Sequence, residues 1–133
     1  MSSLRAFLKP IKAENEEVII SDRFVEDGKV IPFTIRAIDQ DENEEIIKRN
    51  TKRNKKGEEK FEQASYVADL VSSSVVFPDL NDSELQRAYG VIGASKLLKK
   101  MLLVGEFATL SAKVQKISGI DTDINDEIEE AKN

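Results

Sequence analysis

The chain contains no cysteine and no histidine. Disulfides, thiol nucleophiles, Cys/His zinc sites and histidine general bases are therefore excluded. Tryptophan is also missing, and aromatic residues make up only 6%. No apolar run approaches the roughly 20 residues of a membrane span. The first ten residues are too short and too charged for a secretory signal. Positive charge is in deficit: 20 Lys and Arg stand against 25 Asp and Glu, with a net charge of −5 and a pI near 4.9. General binding to nucleic acid or to anionic membranes needs the opposite balance. The expectation is a cytoplasmic protein with neither nucleic acid nor membrane as partner.

What is present is a soluble-protein composition, with 34% charged and 40% apolar residues over 133 positions. That is enough for a single domain, 1–133, with one modest core. The chain is organised around residues 74–102. Pro78 lacks an amide donor and biases Phe77 away from helix, so a preceding helix should end near Val76. Asn81 then reads as an N-cap with Glu84 as its capping-box partner, and Leu80 and Leu85 have staple spacing. Gly90 closes this short helix. A further helix from Ala94 to Leu103 carries Leu97, Leu98, Met101 and Leu102 on one side.

Before this stretch, Ser3 can cap a short helix with Leu4, Phe7 and Leu8 as its face, ended by Pro10. The period then changes to two. Val18, Ile20 and Phe24 alternate on one strand, and Ile31, Phe33, Ile35 and Ala37 on the next, around an Asp27-Gly28 turn. Counting outward pairs Phe24 with Ile31, Ile20 with Ile35 and Val18 with Ala37, and leaves Asp22 opposite Phe33. Asp39 and Glu42 form a capping box that opens a helix through Ile46 and Ile47. A basic loop near 48–60 follows, and a new helix should start near Glu58, with Phe61, Ala64, Ala68 and Val71 in one row. After the central stretch, Gly105 opens a helix bearing Phe107, Leu110, Val114 and Ile117, and Gly119 closes it. Ile124 and Ile128 mark an acidic terminal helix. The fold class is α+β, mostly α, a cluster of about six helical segments with one N-terminal β-hairpin: helix and hairpin over 1–38, helical part over 39–133.

Reactive chemistry is scarce. Asp121-Thr122-Asp123-Ile124-Asn125 imitates a calcium loop, but Asp126 and Lys132 replace the required glycine and glutamate. Gly90-Val91-Ile92-Gly93 matches a KH-type GxxG in letters, yet lacks adjacent basic residues and suits a buried helix–helix turn. The run Lys48 to Lys56 is basic without interleaved aromatics, which suits a solvated loop offsetting nearby acids. Ser72, Ser73 and Ser74 have no histidine to activate them, although a Ser–Lys arrangement remains formally open. No catalytic residue, cofactor site or metal site is assigned.

Three collinear segments then carry a resemblance. Val75-Val76-Phe77-Pro78-Asp79-Leu80-Asn81-Asp82-Ser83-Glu84-Leu85-Gln86, Tyr89-Gly90-Val91-Ile92-Gly93-Ala94, and the stretch from Leu97-Leu98-Lys99-Lys100-Met101 to Gly105-Glu106-Phe107 resemble the XkdN-like tail assembly chaperones of Bacillus-type prophages and contractile-tailed phages. Phe33-Thr34-Ile35-Arg36-Ala37-Ile38 and the ending Glu129-Glu130-Ala131-Lys132-Asn133 are similar too. Val104 departs from the pattern, where proline is expected before Gly105. The resemblance implies a non-enzymatic chaperone that binds the tape measure protein, keeps it soluble until tail tube subunits polymerise around it, and is absent from the mature virion. It also implies a longer frameshifted product, for which Ala131-Lys132-Asn133 could be encoded with the slippery heptamer A AAA AAC. The candidate partner surface is Phe77, Leu80, Tyr89, Met101 and Phe107, several of which should be buried in the fold itself. Ribbon edges and apolar helix rows also offer routes to homo-oligomers. The competing readings are a small nucleic-acid-binding regulator using residues 48–56 and a structural tail component.

Overall fold

The computed structural model describes residues 4–120. Helices and strands follow in the order α1 (Arg5–Leu8), β1 (Glu16–Val18), β2 (Val25–Glu26), β3 (Lys29–Val30), β4 (Phe33–Ile35), α2 (Gln40–Arg49), β5 (Thr51–Arg53), β6 (Glu59–Phe61), α3 (Gln63–Ser74), β7 (Val75–Phe77), α4 (Ser83–Ala88), α5 (Ala94–Met101) and α6 (Val104–Ile117). The architecture is α+β with six helices among the described residues, and its strands form several small antiparallel sheets. One has the order β1-β4-β7, and β2–β3 and β5–β6 are separate two-stranded ribbons. The expected terminal helix around Ile124 and Ile128, the calcium-like spacing from Asp121, and Ser3 lie outside the described residues.

The core forms where α3 crosses α2, α5 and α6, with the three-stranded sheet laid on one side. α3 supplies Ala68, Leu70 and Val71, α5 supplies Leu97, Leu98 and Met101, α6 supplies Leu110 and Val114, and the sheet supplies Val18, Phe33 and Ile35. Full burial of each large aliphatic side chain contributes about 1.5–3 kcal/mol. The apolar rows expected on α5 and α6 are the ones buried, with Phe107 and Ile117 at the edge of the cluster. Gly90 and Gly119 end α4 and α6 in the left-handed conformation, at φ 68° and 77°. In both cases the next residue donates back across the turn, Val91 to the Gln86 carbonyl and Ile120 to the Gln115 carbonyl, as in a Schellman motif.

The N-terminal ribbon departs from the expected register. Its tip is as counted: Val25 pairs with Val30 around Asp27 and Gly28, both at positive φ. Beyond it the pairing slips by four residues, so that Val18 meets Phe33 and not Ala37, and Ile35 meets Glu16 and not Ile20. A continuous ribbon would drive the Asp22 carboxylate into the core beside Phe33. Instead residues 19–24 loop out and Asp22 stays in solvent. Phe24 folds back onto Phe33 with ring centroids 5.6 Å apart. Pro32, which has no amide to donate, sits at the break between β3 and β4.

Two pairings were not expected. Residues 51–61 form a hairpin where a loop and then a helix start near Glu58 were anticipated. Asn54 Oδ1 accepts the amides of Lys56 and Glu58, and Gly57 takes φ 81°. Phe61 therefore lies on a strand, outside the helical row assigned to it, with its ring 5.3 Å from that of Tyr66. The second surprise is β7. α3 stops at Ser74, two residues before Val76, because Ser74 exchanges bonds with Arg36: its hydroxyl donates to the Arg36 carbonyl at 2.5 Å and its carbonyl accepts the Arg36 amide. Val75 to Phe77 then joins β4.

Helix starts shift as well. Asp82, not Asn81, caps α4 by accepting the Leu85 amide at 2.9 Å. Asp39 caps α2 as expected, but the Glu42 carboxylate turns to Arg36 at 2.6 and 2.7 Å and does not close the box. α5 ends at Met101, and α6 begins at Val104, one residue before Gly105. Val104 thus occupies the first helical position, where proline is well tolerated, so the departure at this residue leaves the turn intact.

A candidate protein-docking site at the corner of α4, α5 and α6

One side chain spans the turn between α4 and α5. Gln86 donates its amide to the Leu80 carbonyl at 2.8 Å and accepts the Gly93 amide at 3.1 Å. This holds Gly90-Val91-Ile92-Gly93 in a fixed arc. Val91 packs against the core, but Ile92 is 87% exposed, so the GxxG turn is not buried as anticipated. Beside it lies a shallow cleft of about 380 Å³, lined by Ser83, Gln86, Arg87, Gly90, Val91 and Ile92.

The start of α6 lies at the opposite end of α5 from this turn. Glu106 accepts the Leu103 amide at 2.7 Å and takes a forked bond from Arg23 at 2.5 and 2.8 Å. Arg23 also donates to the Met101 carbonyl and lies over the Phe24 ring. Hydrogen bonds from Arg23, then from the Ser21 hydroxyl and the Leu103 amide, hold the Glu106 carboxyl at about 2, below its ordinary 4.5. One ion pair thus ties the looped-out ribbon to the helix start. Around it Leu103 and Val104 are exposed, Val104 at 91%. Arg87, Lys96, Lys99 and Lys100 are solvent-exposed on α4 and α5, alongside the exposed acids Asp79, Asp82 and Glu84.

The five residues named for a partner surface do not lie on one face. Phe77 and Tyr89 are exposed. Leu80 and Met101 belong to the core, Leu80 beneath the α4 start and Met101 on the inner side of α5, so neither can touch a partner in the folded chain. Phe107 is half-buried at the core edge. The burial of Leu80 and Met101 agrees with the expectation that several of these residues belong to the fold itself. The residues that helical spacing missed, Ile92, Leu103 and Val104, flank two turns, where no periodicity marks them.

Other candidates are used internally. Ser72 bonds Ser95 at 3.0 Å, Ser73 bonds Asp69 and Ser74 bonds Arg36. Along the basic run, Arg49 pairs with Asp69, Lys52 with Glu62 and Arg53 with Glu59. Burial pushes the Asp69 carboxyl up, but bonds from Arg49, Asn50 and Ser73 outweigh it and hold it below the ordinary range. Among the described residues no cluster of acids has a metal-holding arrangement, and no helix is long and apolar enough to cross a membrane.

Fold and site together define a small α+β protein whose salient feature is apolar surface set in charge. Residues 4–132 match the family model of the phage XkdN-like tail assembly chaperone proteins, and the chain belongs to that family. It is 35% identical over 131 residues to the phage-like element PBSX protein XkdN of Bacillus subtilis (strain 168), covering 94% of this chain and 88% of that one. It is 36% identical over 129 residues to the uncharacterized protein YqbN of the same strain, covering 92% and 87%. The crystal structure of a protein YqbN superposes with a TM-score of 0.77 at 31% identity, covering 91% of this chain and 99% of that one. Membership implies a non-enzymatic role among protein partners in tail assembly.

Proposed function

We propose that this chain binds the tape measure protein and keeps it soluble in the host cytoplasm until tube subunits polymerise around it, and that it is left out of the finished virion. The observation that carries this reading is the exposed apolar residues Tyr89, Ile92, Leu103 and Val104 in the turns flanking α5, in a chain of this family. A tape measure is a long helical chain whose apolar seams aggregate unless covered. A client helix laid across the corner would place seam residues against Ile92 and the cleft, and each 100 Å² of apolar surface removed from water contributes about 2.5 kcal/mol before ordering costs. Leu80 and Met101 lie in the core and Phe107 at its edge, behind this surface.

Co-expression with the tape measure gene product tests this. The expected outcome is soluble, co-purifying client with the native chain, and loss of both with Ile92→Asp/Val104→Asp, whose fold is checked by thermal unfolding. An insoluble client in the presence of the native chain would overturn the reading.

A further inference from the structure

We propose that residues 4–12 are a docking arm that seats in the groove between α2 and α6 of a second copy of this chain. The surface is separate from the α4–α6 corner, and the inference does not rest on the identity of the client.

The arm is apolar on one side and bare. Leu4, Phe7 and Leu8 are 69%, 83% and 69% exposed, and Ile11 is fully exposed. The single helical turn that displays them is closed by the Leu8 amide on the Leu4 carbonyl and the Lys9 amide on the Arg5 carbonyl. Four large apolar side chains left in water over eight residues are an unmet demand for burial. The same stretch carries Arg5, Lys9 and Lys12 and no acid, in a chain of net charge −5.

The groove has the complementary character. It encloses about 310 Å³, with Ile38, Leu70 and Ile120 as its apolar walls. Its polar lining is already satisfied. Ser118 Oγ accepts the Ile38 amide, Asn43 Oδ1 accepts the Tyr66 hydroxyl, and Asp39 caps α2. An apolar side chain entering it would therefore break no hydrogen bond. Its rim is the acidic first half of α2, where Asp39, Asp41, Glu44 and Glu45 are exposed and Arg36 is engaged by Glu42.

Charge selects the occupant. Residues 121–133, which continue from Ile120, carry six acids against Lys132 alone and would bring like charge to this rim. The cleft beside α4 has Arg87 in its lining and suits a basic arm less well. The arm does not bury its own apolar side chains against its own body, so the donor is another copy. Each copy offers one arm and one groove, which a two-fold exchange satisfies in a closed dimer.

The test uses the full chain in sedimentation velocity over a concentration series. The native chain is expected to dimerise, and Phe7→Ser/Leu8→Ser to weaken the dimer about tenfold or more, with an unchanged Tm in dilute solution where both chains are monomeric. Arg5→Glu/Lys9→Glu/Lys12→Glu should weaken it similarly, and mixing that variant with Asp41→Lys/Glu44→Lys/Glu45→Lys should restore it. Because the chain has no cysteine of its own, oxidising a mixture of Phe7→Cys and Gln40→Cys chains should give a crossed dimer. A native chain monomeric throughout would overturn the proposal. So would arm variants that associate like the native chain, a Phe7→Cys/Gln40→Cys chain that closes on itself, or an Ile124→Cys/Gln40→Cys chain that does so instead.

Discussion

Leu97 and Leu98 on α5 are fully buried, whereas Leu4 and Leu8 on α1 remain more than two-thirds exposed. Both pairs sit on helical turns with apolar neighbours at helical spacing. They differ in how the turn is held. α5 is fixed at its start by Gln86 on Gly93 and along its side by Ser95 on Ser72, and α3 lies against it. α1 is four residues long, has Leu4 at its cap with no side-chain bond, and is followed by Pro10 and an extended connector. A single turn is costly to nucleate and gains little on its own. An apolar stripe states that burial is wanted; whether the same chain or another molecule supplies it depends on anchors elsewhere.

The largest effect should separate these two regions. Leu98→Ala is expected to lower unfolding free energy by about 2–5 kcal/mol, and Leu8→Ala by less than about 0.5, in urea denaturation of dilute chain. Equal losses would erase the contrast. Next comes the polar tie within the held body. Asp69 bonds Arg49 from α2 and the buried Asn50 amide at 2.8–3.1 Å. Asp69→Ala removes a charged partner from the buried Asn50 amide and breaks the pair with Arg49, and should cost about 1–3 kcal/mol. A smaller effect tests the anchored helix start. Asp82→Ala should cost about 1 kcal/mol, while Asn81→Ala, one residue earlier, should stay within about 0.5.

The mildest probe is acid. Glu106 is held at about 2 in the fold against 4.5 ordinarily, so its contribution is complete above 4.5 and fades as pH falls from there toward 2. Glu106→Gln should flatten that portion of the stability–pH curve, measured by thermal unfolding between pH 2 and 6. An unchanged slope would detach the ribbon loop from the start of α6.

Much of the helical body is legible because its signals are local. The Asp39 cap, the apolar rows of α5 and α6, the Asp27-Gly28 turn and the glycines that end α4 and α6 each depend on a few adjacent residues. The three-residue strand β7 could not be read, since Val75 and Val76 continue the apolar helix and become strand only where Ser74 meets Arg36, 38 positions away. The register slip turns on Asp22, whose cost of burial outweighs simple counting outward from the turn. Phe77 and Tyr89 lie at the surface, while Leu80 and Met101 are buried, in line with the expectation that several of the named residues belong to the fold itself. Ile92, Leu103 and Val104 became visible only once the turns around them were in place.

Asn50 joins the ribbon of β5 and β6 to the body. Its carbonyl receives the Glu62 amide across the base, and its own amide group reaches Ile46 and Asp69. The stem is thereby clamped at its foot while Lys55 and Lys56 at the far end stand in open solvent. A fluorophore coupled to Lys55→Cys, in a chain with no cysteine of its own, would ride at the tip of this stem, reporting on the chain's encounters without touching the surfaces that make them.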